Sequence, residues 1–109
     1  MTKTFEVLAE DSRRRILDLL VQEERPVGEL VGILGLSQPA VSKHLKVLRA
    51  AGLVKSRAEA QRRIYGVRPD PLREVDDWLA PYRLLWAEHL SALERHLEIM
   101  GDSDGEPWA

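Results

Sequence analysis

The chain has 109 residues, no cysteine and a formal net charge of −2, which bounds it to one domain with a modest core and excludes disulfides and thiolate metal sites. No apolar leader opens it and no run of 18 apolar residues interrupts it, so a cytoplasmic protein with no membrane partner is expected. The small net charge hides a segregation: residues 1–69 carry 13 basic against 8 acidic side chains, residues 70–109 carry 3 against 10, and residues 37–68 set eight basic residues against Glu59 alone, so an acidic chain does not here argue against a polyanionic partner.

In chain order, Lys3 to Glu10 reads as a short amphipathic helix with Phe5, Leu8 and Ala9 apolar. Asp11 or Ser12 is placed to cap a second helix from Arg13 to about Glu23, with Ile16, Leu17, Leu20 and Val21 as its core face. Arg13, Arg14 and Arg15 lie on its first turn, where the helix end is already partly positive. Phosphate contact, a carboxylate from another helix, or simple tolerance at an exposed turn would each account for them. Pro26 ends the Gln22–Arg25 loop and starts a third helix with Val27, Leu30, Val31 and Leu34 inward, and Gly35-Leu36-Ser37 makes the tight turn of a helix-turn-helix.

The next helix carries the most information. Ser37 is a good N-cap, Pro39 suits a first turn, and Gly52 supplies a left-handed stop. Val41, Leu45 and Leu48 recur at i, i+4, i+7 and make one buried stripe, while Gln38, Ser42, Lys43, Lys46 and Arg49 lie on the other side. A solvated charged face would explain such a helix in isolation. Its neighbours favour a DNA groove. Leu53 to Arg57 and Arg63 to Arg68 read as strands joined around Glu59-Ala60-Gln61, a β-hairpin or wing carrying Arg57, Arg62 and Arg63 near its tip. The imidazole of His44 reads as a DNA contact, the alternative being a histidine hydrogen-bonded within the fold.

Asp70 and Pro71 introduce a helical region running to about Met100, in which Pro81 predicts a kink or two abutting helices. Its Leu79, Tyr82, Trp86, Leu90, Leu93, Leu97 and Met100 are spaced close to a heptad seam. We read the stripe as a homodimer interface shared with the first helix through Phe5, against the alternative that the helix folds back on its own domain. A two-fold dimer would set two recognition helices about 34 Å apart on a palindromic operator. The expected organisation is a winged helix-turn-helix domain with its dimerisation helix over 1–100 and an acidic, disordered tail over 101–109.

These residues resemble the ArsR (arsenic-repressor) family. The resemblance is carried by Leu8 to Leu17, Gly28-Glu29-Leu30, Leu36 to Leu48 with its Ser-Xaa-Xaa-Xaa-Ser-Lys-His-Leu core, Ala51-Gly52-Leu53-Val54 and Arg62-Arg63-Ile64-Tyr65. It implies a dimeric winged-helix repressor acting on its own promoter, with Gln38, Pro39, Ser42, Lys43 and Lys46 as groove residues and the wing arginines at the minor groove or phosphates. Many members release DNA on binding a metal. The family's Cys-Xaa-Cys region here reads Leu30-Val31-Gly32-Ile33, and its C-terminal zinc pattern aligns with Asp76, Trp78, His89 and Ala92, so two of four ligands are missing. His89 and His96 are seven residues apart, about 10 Å along one face, too far for one ion within a chain; antiparallel pairing with a partner helix, which would bring a histidine near Glu88, Glu94 or Asp77, is the alternative. No metal or other cofactor is expected.

No nucleophile–base pair, phosphate-cradling loop or cofactor box occurs, so an enzyme is not expected. The expected fold is mainly α with a small β-hairpin, dimerising through its N- and C-terminal helices, and the expected function is sequence-specific DNA binding as a homodimer. A metal- or small-ligand-responsive sensor on the same fold, with a ligand among Trp78, Tyr82 and Trp86, is the alternative. The basic charge of residues 37–68 argues against a third reading, a protein-interaction module.

Overall fold

The structure, a computed structural model, describes residues 1–100; the expected tail, 101–109, lies outside them. In order come α1 (Thr2–Leu8), α2 (Asp11–Gln22), β1 (Arg25–Pro26), α3 (Val27–Leu34), α4 (Gln38–Ala50), β2 (Val54–Glu59), β3 (Arg62–Val67) and α5 (Asp70–Met100). The chain divides into two compact units, Met1–Val75 and the residues from Asp76 onward.

The first unit is a winged helix-turn-helix. Ile16 and Leu20 of α2, Leu30 and Leu34 of α3, Val41, Leu45 and Leu48 of α4, and Leu53 and Val54 at the start of the hairpin are all buried together. Each such side chain removed from water contributes about 1.5–3 kcal/mol, and the periodicity of α3 and α4 delivers theirs to the same side. The strands form an antiparallel sheet in the order β1-β3-β2, with Pro26 opposite Ile64 and Arg57 also opposite Ile64 from the other side. β1 was not foreseen. Pro26 is an extended residue that pairs with β3 and then serves as the N-cap of α3, rather than opening that helix. Arg25 fastens this junction: its side chain is 11% exposed and donates to Leu19 O (3.2 Å), Gln22 Oε1 (3.1 Å) and Glu29 Oε1 (3.1 Å).

Two expectations about α2 are corrected. α2 starts at Asp11 behind Glu10, with no side-chain cap from Asp11 or Ser12. Val21, assigned to the core face, is 73% exposed, because Ile16 and Leu20 already turn the helix's narrow apolar stripe onto the core. In α1 the buried residues are Thr4 and Val7, while Phe5 is 40% exposed. Two of the three arginines on the first turn of α2 have a local explanation: Arg13 Nε donates to Val7 O (2.7 Å) and Arg14 Nη1 to Leu8 O (2.6 Å). They satisfy carbonyls left open at the end of α1, an end that favours cations. Arg14 also pairs with Asp11 at 3.2 Å.

One helix, α5, continues through Pro81, rather than two abutting ones. The proline ring omits one N–H from the ladder, and Arg83 Nη1 ties back to Asp76 Oδ1 at 2.9 Å across it. The Trp78 and Tyr82 rings stack tilted, 5.1 Å apart at 53°. Among the described residues no helix is long and apolar enough to cross a membrane.

Candidate nucleic-acid interface

α4 is fixed at both ends by local chemistry. Ser37 is extended (φ −70°, ψ 155°) and its Oγ accepts from the Ala40 N–H at 3.3 Å, with Pro39 in the first turn. Upstream, Gly35 turns left-handed at φ 68°, its N–H reaching Val31 O at 3.0 Å, which closes α3 and aims the chain into α4. Downstream, Gly52 takes φ 76°; its N–H meets Arg49 O (3.0 Å) and the Leu53 N–H meets Leu48 O (3.0 Å). This is a Schellman stop, and Leu48 and Leu53, the apolar pair that accompanies it, are both fully buried. With Val41, Leu45 and Leu48 in the core, α4 cannot roll about its axis. Its free face shows Gln38, Pro39, Ser42, Lys43, Lys46 and Arg49, all exposed with Ser37. His44 sits at the edge of that face, partly buried, and its Nδ1 is shielded with no hydrogen-bond partner among the described residues.

The wing places its arginines less uniformly. Ala60 and Gln61 form a two-residue turn between Glu59 and Arg62. Side chains alternate along a strand, so Arg62 and Arg63 leave opposite faces of the hairpin. Arg63 Nη1 donates to Ser56 Oγ at 3.2 Å. Arg57 donates to Glu24 (3.2 Å) and to Glu59 (3.1 Å), and these two carboxylates, Glu24 first, hold its guanidinium above its already high ordinary pKa. Glu24 is a residue that sequence reasoning missed. It stands 33 positions from Arg57, and only the β1–β3 pairing brings its loop alongside the hairpin.

A cleft of about 550 Å³ brings the pieces together: Pro26, Val27, Gly28 and Glu29 at the start of α3, Gln38 at the start of α4, and Arg62 and Arg63 of the wing line it. Gln38 and two wing arginines thus open on one concavity beside the free face of α4. Chemically, this surface offers amide and hydroxyl groups on a rigid helix, flanked by arginines whose guanidinium groups suit phosphate.

In the second unit Tyr82, Trp86 and Leu90 of the expected seam are exposed, whereas Leu79, Leu93 and Leu97 are partly covered. Leu84 and Leu85, outside that seam, are exposed at 68% and 59%. Among the described residues no three His, Asp or Glu side chains gather as a metal site.

Residues 10–56 match the family described as "Bacterial regulatory protein, arsR family". The chain is 35% identical over 100 residues to the HTH-type transcriptional regulator Rv2034 of Mycobacterium tuberculosis, covering 92% of this chain and 91% of that one. It is 34% identical over 100 residues to the probable mercury resistance operon repressor of Streptomyces lividans, covering 92% and 78%. Among solved structures it is similar to Rv0081 of M. tuberculosis, with a TM-score of 0.58 and 40% identity over 81% of this chain and 86% of that one.

Proposed function

The chain belongs to the bacterial ArsR family of DNA-binding transcription regulators, and from that premise we propose that it is a homodimeric repressor of a palindromic operator, its own promoter included. Residues 1–100 supply both the DNA-binding and the dimerising surfaces. The free face of α4, with Ser37, Gln38, Pro39, Ser42, Lys43, His44, Lys46 and Arg49, enters the major groove. Arg57, Arg62 and Arg63 meet phosphates or the adjacent minor groove. Phe5 of α1 and Leu79, Tyr82, Trp86, Leu90, Leu93 and Leu97 of α5 face a second copy. The protein works in the cytoplasm and catalyses no reaction. The observation that carries this reading is the cleft in which Gln38 meets Arg62 and Arg63 beside a basic, core-anchored helix.

The test is a fluorescence-anisotropy titration onto the gene's own upstream DNA, at two salt concentrations, with scrambled competitor. Binding that survives competitor at one dimer per site supports the proposal. Binding that vanishes with competitor removes the autoregulatory part of it, and a promoter-fusion assay showing activation removes the repressor part.

A further inference from the structure

Arg57 differs from the other two wing arginines. Among the described residues it alone of the three is ion-paired, through Nη2 to Glu24 Oε1 at 3.2 Å and through Nη1 to Glu59 Oε2 at 3.1 Å. Glu59 is a neighbour on the same strand, but Glu24 arrives from the loop before β1, and the sheet makes room for it. A Cβ on Gly66 of β3 would stand 2.8 Å from Glu24 Oε2 and 3.1 Å from its Cγ. The glycine therefore leaves the seat in which the carboxylate lies beside Arg57. All three ionised side chains remain roughly half exposed, between 42% and 53%.

We propose that Glu24 and Glu59 hold Arg57 as an exchangeable phosphate ligand: the carboxylates occupy its guanidinium in the free protein, and a DNA phosphate oxygen replaces them in the complex. This rests on the reading that the wing meets DNA. The guanidinium fork fits a carboxylate and a phosphate alike. An exposed pair is weak enough to be exchanged without disturbing the fold. Until the exchange occurs, two carboxylates flank one cation and the local charge repels the backbone. Arg57 then adds to affinity only for DNA docked closely enough to displace them. Glu24 is thus a positioning residue acting through Arg57.

The experiment is a double-mutant cycle on the full chain, reading affinity for the upstream duplex by anisotropy across a salt series. E24Q is expected to tighten binding by about two- to five-fold, the range of an exposed ion pair. R57A is expected to weaken binding and lower the salt slope by about one, and E24Q is expected to have no effect in the R57A background. E24Q tightening equally in that background would mean general repulsion of DNA, and E24Q weakening binding or leaving it unchanged would mean a structural tie; either overturns the proposal. E59Q repeats the test at the wing tip should E24Q lower the thermal midpoint. R62A/R63A separates the two levels: affinity unchanged by that pair sinks the wing reading itself, whereas affinity lost there without an E24Q effect sinks only the exchange.

Discussion

At the first central position of the β2–β3 turn, Ala60 is held at φ 56°, a conformation that costs an L-residue with a Cβ about 1–2 kcal/mol and glycine almost nothing. Turns of this type place glycine there. Ala60→Gly should therefore stabilise the protein by about 0.5–1 kcal/mol once the greater freedom of glycine in the unfolded chain is set against the relief. Ala60→Val should do the reverse, because a β-branched side chain fits that region worst. Urea unfolding midpoints check both, and A60G lowering the midpoint would mean that the turn is not strained. The same scale shows why some residues were legible and others were not. Gly52 declared its left-handed turn by type, whereas Glu59-Ala60-Gln61 contains no residue that announces a positive φ. Arg13 and Arg14 looked misplaced because their partners, the Val7 and Leu8 carbonyls, lie six positions back, beyond a helix end. Arg13→Ala should cost about 1 kcal/mol and raise amide exchange in α1 before anything else loosens.

At the scale of elements, α4 separates into a face that holds the fold and a face that is free to act. Val41, Leu45 and Leu48 are no more than 1% exposed, and Ser42 and Lys46 are exposed between them. Ser42→Ala with Lys46→Ala should thus lower operator affinity at least about ten-fold, at about 1–3 kcal/mol for a specific base contact, and flatten the salt slope by about one. Circular dichroism should be unchanged. Lost helicity in that variant would make these side chains structural. Leu45→Ala, in contrast, should cost about 2–5 kcal/mol and lose binding through unfolding. That division was visible in the sequence because a 3.6-residue period separates the faces unaided. β1 was not, since two residues have no period and a proline reads as a helix start until its partner strand is known. The Glu24–Arg57 pair depends on that same strand, so it stayed hidden for the same reason.

For the whole molecule the decisive surface is α5. Tyr82, Trp86 and Leu90, with Leu85 at their border, are between 42% and 59% exposed, a contiguous apolar stripe of the kind that marks a contact surface. The heptad spacing in the sequence located this stripe. Leu85 borders the stripe, whereas Leu84, two residues on from Tyr82, lies on the far side of the helix and is not part of it. If a second copy lies here, two α4 helices act on one duplex and each half-site contact raises the effective concentration of the other. Trp86→Glu with Leu93→Glu would bury two charges at that contact. The variant should sediment as a monomer at concentrations where the parent sediments as a dimer, and should lose about 100-fold or more in affinity for a two-half-site operator. Binding to an isolated half-site should hardly change, because α4 and the wing lie wholly within Met1–Val75. A variant that stays dimeric would move the interface off this face. A variant that is monomeric yet binds the full operator as tightly would show that one wing and one helix suffice, and the palindrome would then have no structural basis in this chain.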